Sequence, residues 1–185
     1  MASYFMGIAL ARLLLLGALA LPAAANEIWL YAGTGPQPGA DQNNHMVGID
    51  WLAWDYQRSP KQVFSLGFSY SHLRASGDNL DGYNRQLEAF SIVPQLTLLA
   101  EPWRNMLPLF QVRALGPTYL SEKRLGLRQQ GMHFALQAQI SAGLRFGQGY
   151  RHQLNIIYRH YSNANLDDLN DGFDIPVVLG YRYQF

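Results

Sequence analysis

The sequence predicts an all-β fold, an eight-stranded antiparallel transmembrane β-barrel. Long runs alternate apolar with small or polar residues at a period of two, and the links between runs alternate between short and long. Aromatic residues make up 13% of a chain that, past its first twenty-five residues, has no apolar stretch long enough for a helical span.

Those first twenty-five residues stand apart. Arg12 is their only charge, it precedes the apolar run 13–21, and Ala23-Ala24-Ala25 offers an A-x-A cleavage site. Residues 1–25 therefore read as a secretory signal peptide, and residues 26–185 as one outer-membrane barrel domain. The uncharged stretch 13–25 is shorter than the roughly 18 to 20 apolar residues of an anchoring helix. The chain carries 14 Lys and Arg against 13 Asp and Glu, and removal of Arg12 with the leader evens the counts. Such a balance gives no basic surface for nucleic acid. Cysteine is absent, which excludes a disulfide framework and thiolate metal sites in an exported protein.

The strands follow in order. A first is expected at 27–33 and a second at 45–56. In the third, around 63–73, Phe64, Leu66, Phe68 and Tyr70 alternate with Ser65, Gly67, Ser69 and Ser71. A fourth is expected at 85–99 and a fifth at 106–115. The sixth, 132–146, carries the clearest signal: Phe134, Leu136, Ala138, Ile140, Ala142 and Leu144 oppose Ala135, Gln137, Gln139, Ser141, Gly143 and Arg145. A soluble sandwich also alternates, but its exposed face carries more charge than this set. The seventh and eighth lie at 150–162 and 173–185. Links at 57–61, 101–105 and 147–149 are short, whereas those at 34–44, 74–84, 116–130 and 163–172 are long and polar, the asymmetry of periplasmic turns and external loops. Trp51, Trp54, Tyr56, Trp103, Tyr119, Tyr150 and Tyr158 fall toward strand ends or in adjacent loops, as interfacial aromatics do.

Chemistry concentrates after the seventh strand, in residues 160–174. His160 and Ser162, two apart on a strand, project from one face, so a base and a hydroxyl nucleophile can meet. The segment that follows is rich in Asn, Asp and Gly and reads as a loop able to return Asp174 to His160. Asn163 and Asn170 are candidate donors to an oxyanion. A polar loop following a strand accounts for the same residues without any chemistry. In this strand Leu154, Ile156 and Tyr158 form the apolar, lipid-facing set, so His160 and Ser162, of the same parity, face outward just beyond the apolar band. A pair so placed meets lipid.

Here the sequence resembles the outer-membrane lipid A 3-O-deacylase family, the PagL-like proteins. The resemblance is carried by His133-Phe134, the run 143–147, Tyr158-Arg159-His160-Tyr161-Ser162-Asn163-Ala164, Asn170-Asp171-Gly172-Phe173-Asp174 and the closing aromatic strand 180–185, which ends in Phe185 as outer-membrane barrels usually do. It implies that His160 is the base, Ser162 the nucleophile and Asp174 the acid, where the best-known members have Glu. It also implies that Asn163 and Asn170 support the oxyanion site and that Phe134 is a candidate site aromatic. The implied reaction is hydrolysis of the ester-linked 3-hydroxyacyl chain at position 3 of lipid A, a component of lipopolysaccharide, in the bacterial outer membrane, without metal or organic cofactor. The implied partners are lipopolysaccharide and outer-membrane lipid, with a homodimer left open. The alternatives are a non-catalytic structural or adhesive barrel and a lipid A acyltransferase.

Other sites fare poorly. Reading Asp168 and Asn170 as the first calcium ligands puts Phe173 where an EF-hand needs Gly. His45, His72, His133 and His152 lack ligand spacing, and residues 143–149 fit no phosphate loop. Asp174 poses a parity problem, because alternation through Phe173, Ile175 and Val177 turns it inward. Pro176, which cannot donate to the ladder, predicts a bulge between Asp174 and Val177 that reverses parity; alternatively Asp174 simply enters from the loop. Asp171 is the next carboxylate to consider. The protein is expected to fractionate with outer membranes and to shift its gel mobility on heating. Recovery as a soluble periplasmic species would exclude the barrel.

Overall fold

A computed structural model describes residues 27–185, so the expected signal peptide at 1–25 lies outside the described residues. In chain order the strands are β1 (Glu27–Pro36), β2 (Asn43–Ser59), β3 (Gln62–Ser76), β4 (Gln86–Leu99), β5 (Leu107–Leu120), β6 (Arg124–Leu125), β7 (Arg128–Gln129), β8 (Phe134–Phe146), β9 (His152–Ser162) and β10 (Phe173–Gln184). Strands β6 and β7 form a small hairpin of their own. The other eight close into an antiparallel barrel in the order β1-β10-β9-β8-β5-β4-β3-β2, with β2 returning to β1.

The expected strands are all present; the first, second, third and fifth run longer than their sequence signal, and the other four are one or two residues shorter. The fifth is expected at 106–115, followed by a long link that opens with Gly116 and Pro117. Instead Leu115 adopts a left-handed φ of 59° and β5 shifts register against both β4 and β8 before continuing to Leu120. A bulge absorbs the irregular residues without opening the ladder. The remainder of the long link, expected to be irregular, contains the β6–β7 hairpin.

Alternation then sorts every strand into two faces. Leu30, Ile49, Phe68, Ile92, Ile140, Ile156 and Leu179 are exposed on the outer wall, where lipid rather than water surrounds a barrel. The lumen is filled with polar side chains: Gln95, Gln111, Gln137, Gln139, Gln153 and Asn155 are buried and hydrogen-bonded to lumenal neighbours. Asp50 lies at the centre, in contact with the Arg113 guanidinium and 3.9 Å from that of Arg159. Arg159 stacks over the Tyr31 ring with 4.5 Å to its centroid. Near the end where the chain terminates, Arg182 pairs with Glu27 at 2.9 Å. The interior is therefore a charged, packed core and leaves no open channel along these residues.

Two arginines around one buried aspartate make Asp50 the point of failure. Removing one member of a buried ionic cluster leaves the others uncompensated, a loss of about 3 to 5 kcal/mol. Asp50→Ala is expected to lower the unfolding free energy in detergent micelles by that amount, measured by denaturant titration, whereas a lumenal Ser141→Ala is expected to change it little.

Candidate active site

Strand β9 delivers His160 and Ser162 to the outer wall. Along it Gln153, Asn155, Ile157, Arg159 and Tyr161 are buried toward the lumen, and Leu154, Ile156 and Tyr158 are exposed. His160 and Ser162, both half-buried, continue that outward-facing parity at the strand's end, where the chain enters the loop at 163–172.

Asp174 arrives from β10 as the direct cross-strand partner of His160. Its orientation depends on a register shift between Ile175 and Val178, which places one extra residue in β10 at Pro176–Val177. Before the shift Phe173 and Ile175 face inward and are fully buried; after it Val178, Gly180 and Arg182 do so. Parity reverses at the proline, and Asp174 points outward with His160. The His160 Nδ1–H donates to Asp174 Oδ1 at 2.8 Å, which directs Nε2 away from the carboxylate. The Tyr158 hydroxyl donates to the same oxygen.

The other carboxylate oxygen is held from the far side by the loop after β1. Gln37 Nε2 donates to Asp174 Oδ2 at 2.9 Å, and the Asp174 backbone N–H donates to Gln37 Oε1 at 2.9 Å. Asn44 braces the pair, donating through Nδ2 to Gln37 Oε1 at 2.6 Å and to the Asp174 carbonyl at 2.9 Å. Gln37 and Asn44 are both buried. Three side-chain donors on one carboxylate fix its position and suit its ionised form. Gln37 stands 137 residues from Asp174 between two prolines, and no local sequence signal connects them.

Gly172 completes the pocket of the imidazole. It adopts φ 70°, and a Cβ placed there would lie 2.8 Å from His160 Cε1, so only glycine both tolerates the backbone and clears the ring. Arg128 Nε anchors the Gly172 carbonyl at 3.1 Å.

The expected residues are thus gathered, with distinct surroundings. Ser162 pairs across to Leu136 of β8 and shares its face with His160 at a rise of about 6.7 Å along the strand. Among the described residues no hydrogen bond joins its hydroxyl to His160 Nε2. Asn163 is fully buried; its Nδ2 donates to the Leu169 carbonyl at 2.9 Å and its Oδ1 accepts from the Asn165 N–H at 3.0 Å. Asn170 Oδ1 accepts from the Asn163 N–H at 2.9 Å, and its Nδ2 donates to Asn165 Oδ1 at 2.8 Å. Both amides therefore bind the loop together beside Ser162. Phe134 faces outward on β8, two residues from the Leu136 partner of Ser162. Asp171 turns to the neighbouring loop, where Oδ2 accepts from the Gln129 N–H at 2.7 Å.

Comparison with known proteins gives a family match and a shared fold. The family model described as lipid A 3-O-deacylase (PagL) matches residues 46–184. The crystal structure of the outer membrane enzyme PagL is similar with a TM-score of 0.62 at 19% identity, over 86% of this chain and 99% of that one. Neisserial surface protein A aligns at 0.48 and 13%, over 87% and 96% respectively. The Yersinia pestis outer membrane protein Ail aligns at 0.41 and 15%, over 87% and 99%. No curated protein sequence matches significantly.

The packing of Gly172 against His160 generates a test that leaves every polar residue in place. A methyl group at this position displaces the ring, and a misplacement near 1 Å costs on the order of 10²-fold in rate. Gly172→Ala is expected to lose ester hydrolysis to that extent while the barrel keeps its heat-modifiable mobility.

Proposed function

The chain belongs to the lipid A 3-O-deacylase (PagL) family, and from that premise we propose that His160, Ser162 and Asp174 are its catalytic base, nucleophile and acid. The protein is an outer-membrane barrel enzyme that removes an ester-linked acyl chain from position 3 of lipid A. Family membership decides for this hydrolysis over acyl transfer or a purely structural barrel. The observation that carries the triad is the 2.8 Å His160–Asp174 contact on the outer wall, with a serine hydroxyl two residues along the same face.

In the proposed mechanism lipid A lies against the barrel with its acyl chains along Ile140, Ile156 and Tyr158 and its headgroup level with Ser162. His160 Nε2 takes the Ser162 proton as Oγ attacks the ester carbonyl, and Asp174 stabilises the imidazolium through Nδ1. Asn170, half-exposed and with a second amide hydrogen beyond the one given to Asn165, donates to the oxyanion, while buried Asn163 holds the loop that carries it. The intermediate collapses as His160 returns its proton to the departing sugar oxygen, leaving an acyl-serine. Water, deprotonated by His160, then releases the 3-hydroxy fatty acid and restores Ser162. Asp174 fills the role that Glu has in the best-known members because its strand is already paired with β9 at His160, so the shorter side chain reaches Nδ1.

Ser162→Ala and His160→Asn are each expected to reduce deacylation by about 10³-fold or more, because triad members act as a unit. Asp174→Ala is expected to fall in the same direction by a smaller factor. Mass spectrometry of lipid A from cells expressing each variant reads the loss of one 3-hydroxyacyl chain, and undiminished loss in the Ser162 or His160 variant would exclude the serine mechanism.

A further inference from the structure

A second outward-facing histidine–carboxylate pair stands on the opposite wall of the barrel. His72 of β3 and Glu88 of β4 are direct cross-strand partners, and His72 Nδ1 lies 2.8 Å from Glu88 Oε1. The His160–Asp174 pair has the same partnership and the same distance. The two imidazoles are equally accessible, with side chains 34% and 33% exposed. Each histidine follows an exposed tyrosine by two residues, Tyr70 in one case and Tyr158 in the other.

The correspondence extends to position around the barrel. Strand β3 lies four strands from β9 in either direction, and β4 adjoins β3 on the side on which β10 adjoins β9. Traced through the registers, the row of His160 reaches β3 near Gly77 by way of β10, β1 and β2. By way of β8, β5 and β4 it reaches β3 near Leu66. The stagger of a tilted barrel separates the two arrivals, and His72 sits midway, at the height of His160. A half-turn about the barrel axis thus carries one pair onto the other.

One residue breaks the relation: where Ser162 follows His160 by two, Arg74 follows His72. Arg74 is exposed and makes no ion pair or side-chain hydrogen bond among the described residues. The charged and titratable groups nearby are otherwise engaged. His45, the cross-strand partner of Arg74, is bonded through Nδ1 to Thr34 and through Nε2 to Ser76, and Glu88 is turned to His72. With a guanidinium in the nucleophile's place the wall cannot form an acyl-enzyme, but it is suited to an anion. His72 and Arg74 stand two residues apart on one face, a backbone rise of about 6.7 Å along the strand, so an oxyanion seated between them accepts charge-assisted contacts from the Arg74 guanidinium and, with the ring doubly protonated between Glu88 and the anion, from His72 Nε2. Below them Phe68, Tyr70 and Ile49 are exposed to the acyl region.

We propose that His72 and Arg74, with Glu88 orienting the imidazole, form a non-catalytic site for a phosphate monoester of a second lipid A molecule. The site holds its lipid on the wall opposite the deacylating one. This assignment rests on the proposed function for the height at which a lipid A headgroup meets the barrel.

The test uses full-length mature protein in detergent micelles, carrying Ser162→Ala so that bound lipid is not turned over. Native mass spectrometry is to count bound bisphosphorylated lipid A against fully dephosphorylated lipid A. The expected result is one fewer phosphorylated lipid per barrel on adding Arg74→Gln or His72→Gln, with at least a tenfold weaker second binding step. Dephosphorylated lipid A is expected to lack that second step in every variant. Equal stoichiometry with and without Arg74→Gln, or equal retention of both lipids, would overturn the site. With Ser162 intact, Arg74→Gln is expected to deacylate within twofold of the unchanged protein and to keep its heat-modifiable mobility, which confirms that the variant folds. Absence of deacylation from the unchanged protein would count against the proposed function alone, since the stoichiometry comparison needs no turnover.

Discussion

A strand in hydrocarbon has no water to satisfy its backbone, so every N–H and C=O across the membrane must be paired within the protein. The closed ladder from β1 through β10 meets that requirement, and most other features of the molecule are consequences of it. Closure leaves no sheet edge, and irregular residues must be absorbed as bulges, as at Leu115 in β5 and at Pro176–Val177 in β10. Closure also divides the side chains into a lipid face and a lumen face. Polar groups concentrate inside, where Asp50, Arg113, Arg159 and a belt of amides satisfy one another. The outer wall is apolar up to the level at which headgroups begin.

At that level the rule relaxes, and there the proposed triad stands. His160, Ser162 and Asp174 lie on the lipid-facing parity, supported from behind by residues that belong to other loops. Gln37 comes from the link between β1 and β2, Asn44 from the start of β2, Arg128 from the hairpin between β5 and β8, and Gly172 from the link that ends at β10. The flanking strands hold the histidine and the aspartate in register, and the loops set the finer orientation of their side chains. Site geometry of this kind is a product of barrel closure, because it requires β1 and β10 to meet.

Much of this was legible in the sequence because a barrel strand states its two faces residue by residue. The alternation in 132–146 and the parity of Leu154, Ile156 and Tyr158 predicted both the strands and the outward aspect of His160 and Ser162. Pro176 gave a chemical reason for a ladder break, and the break occurs beside it. The continuation of β5 through Gly116 and Pro117 was not legible, since local preference argues for a turn and only pairing with β4 and β8 overrides it. Nor could the sequence connect Gln37 with Asp174. Hydrogen bonds between segments distant in the chain leave no periodic mark, and the same holds for the use of Asn163 as a loop tie.

A filled lumen and a site on the outside wall together set the kind of kinetics open to such an enzyme. Neither substrate nor product passes through the barrel, so both arrive and depart by sliding within one leaflet. The relevant concentration is then a surface density, a mole fraction among neighbouring lipids, and dilution of the cells or vesicles leaves it unchanged. Turnover depends instead on how fluid that leaflet is and on what else occupies the ring of lipids around the barrel. Divalent cations that cross-link the phosphates of adjacent headgroups would slow lateral exchange, and the composition of the membrane becomes a control on the reaction as direct as any residue within it.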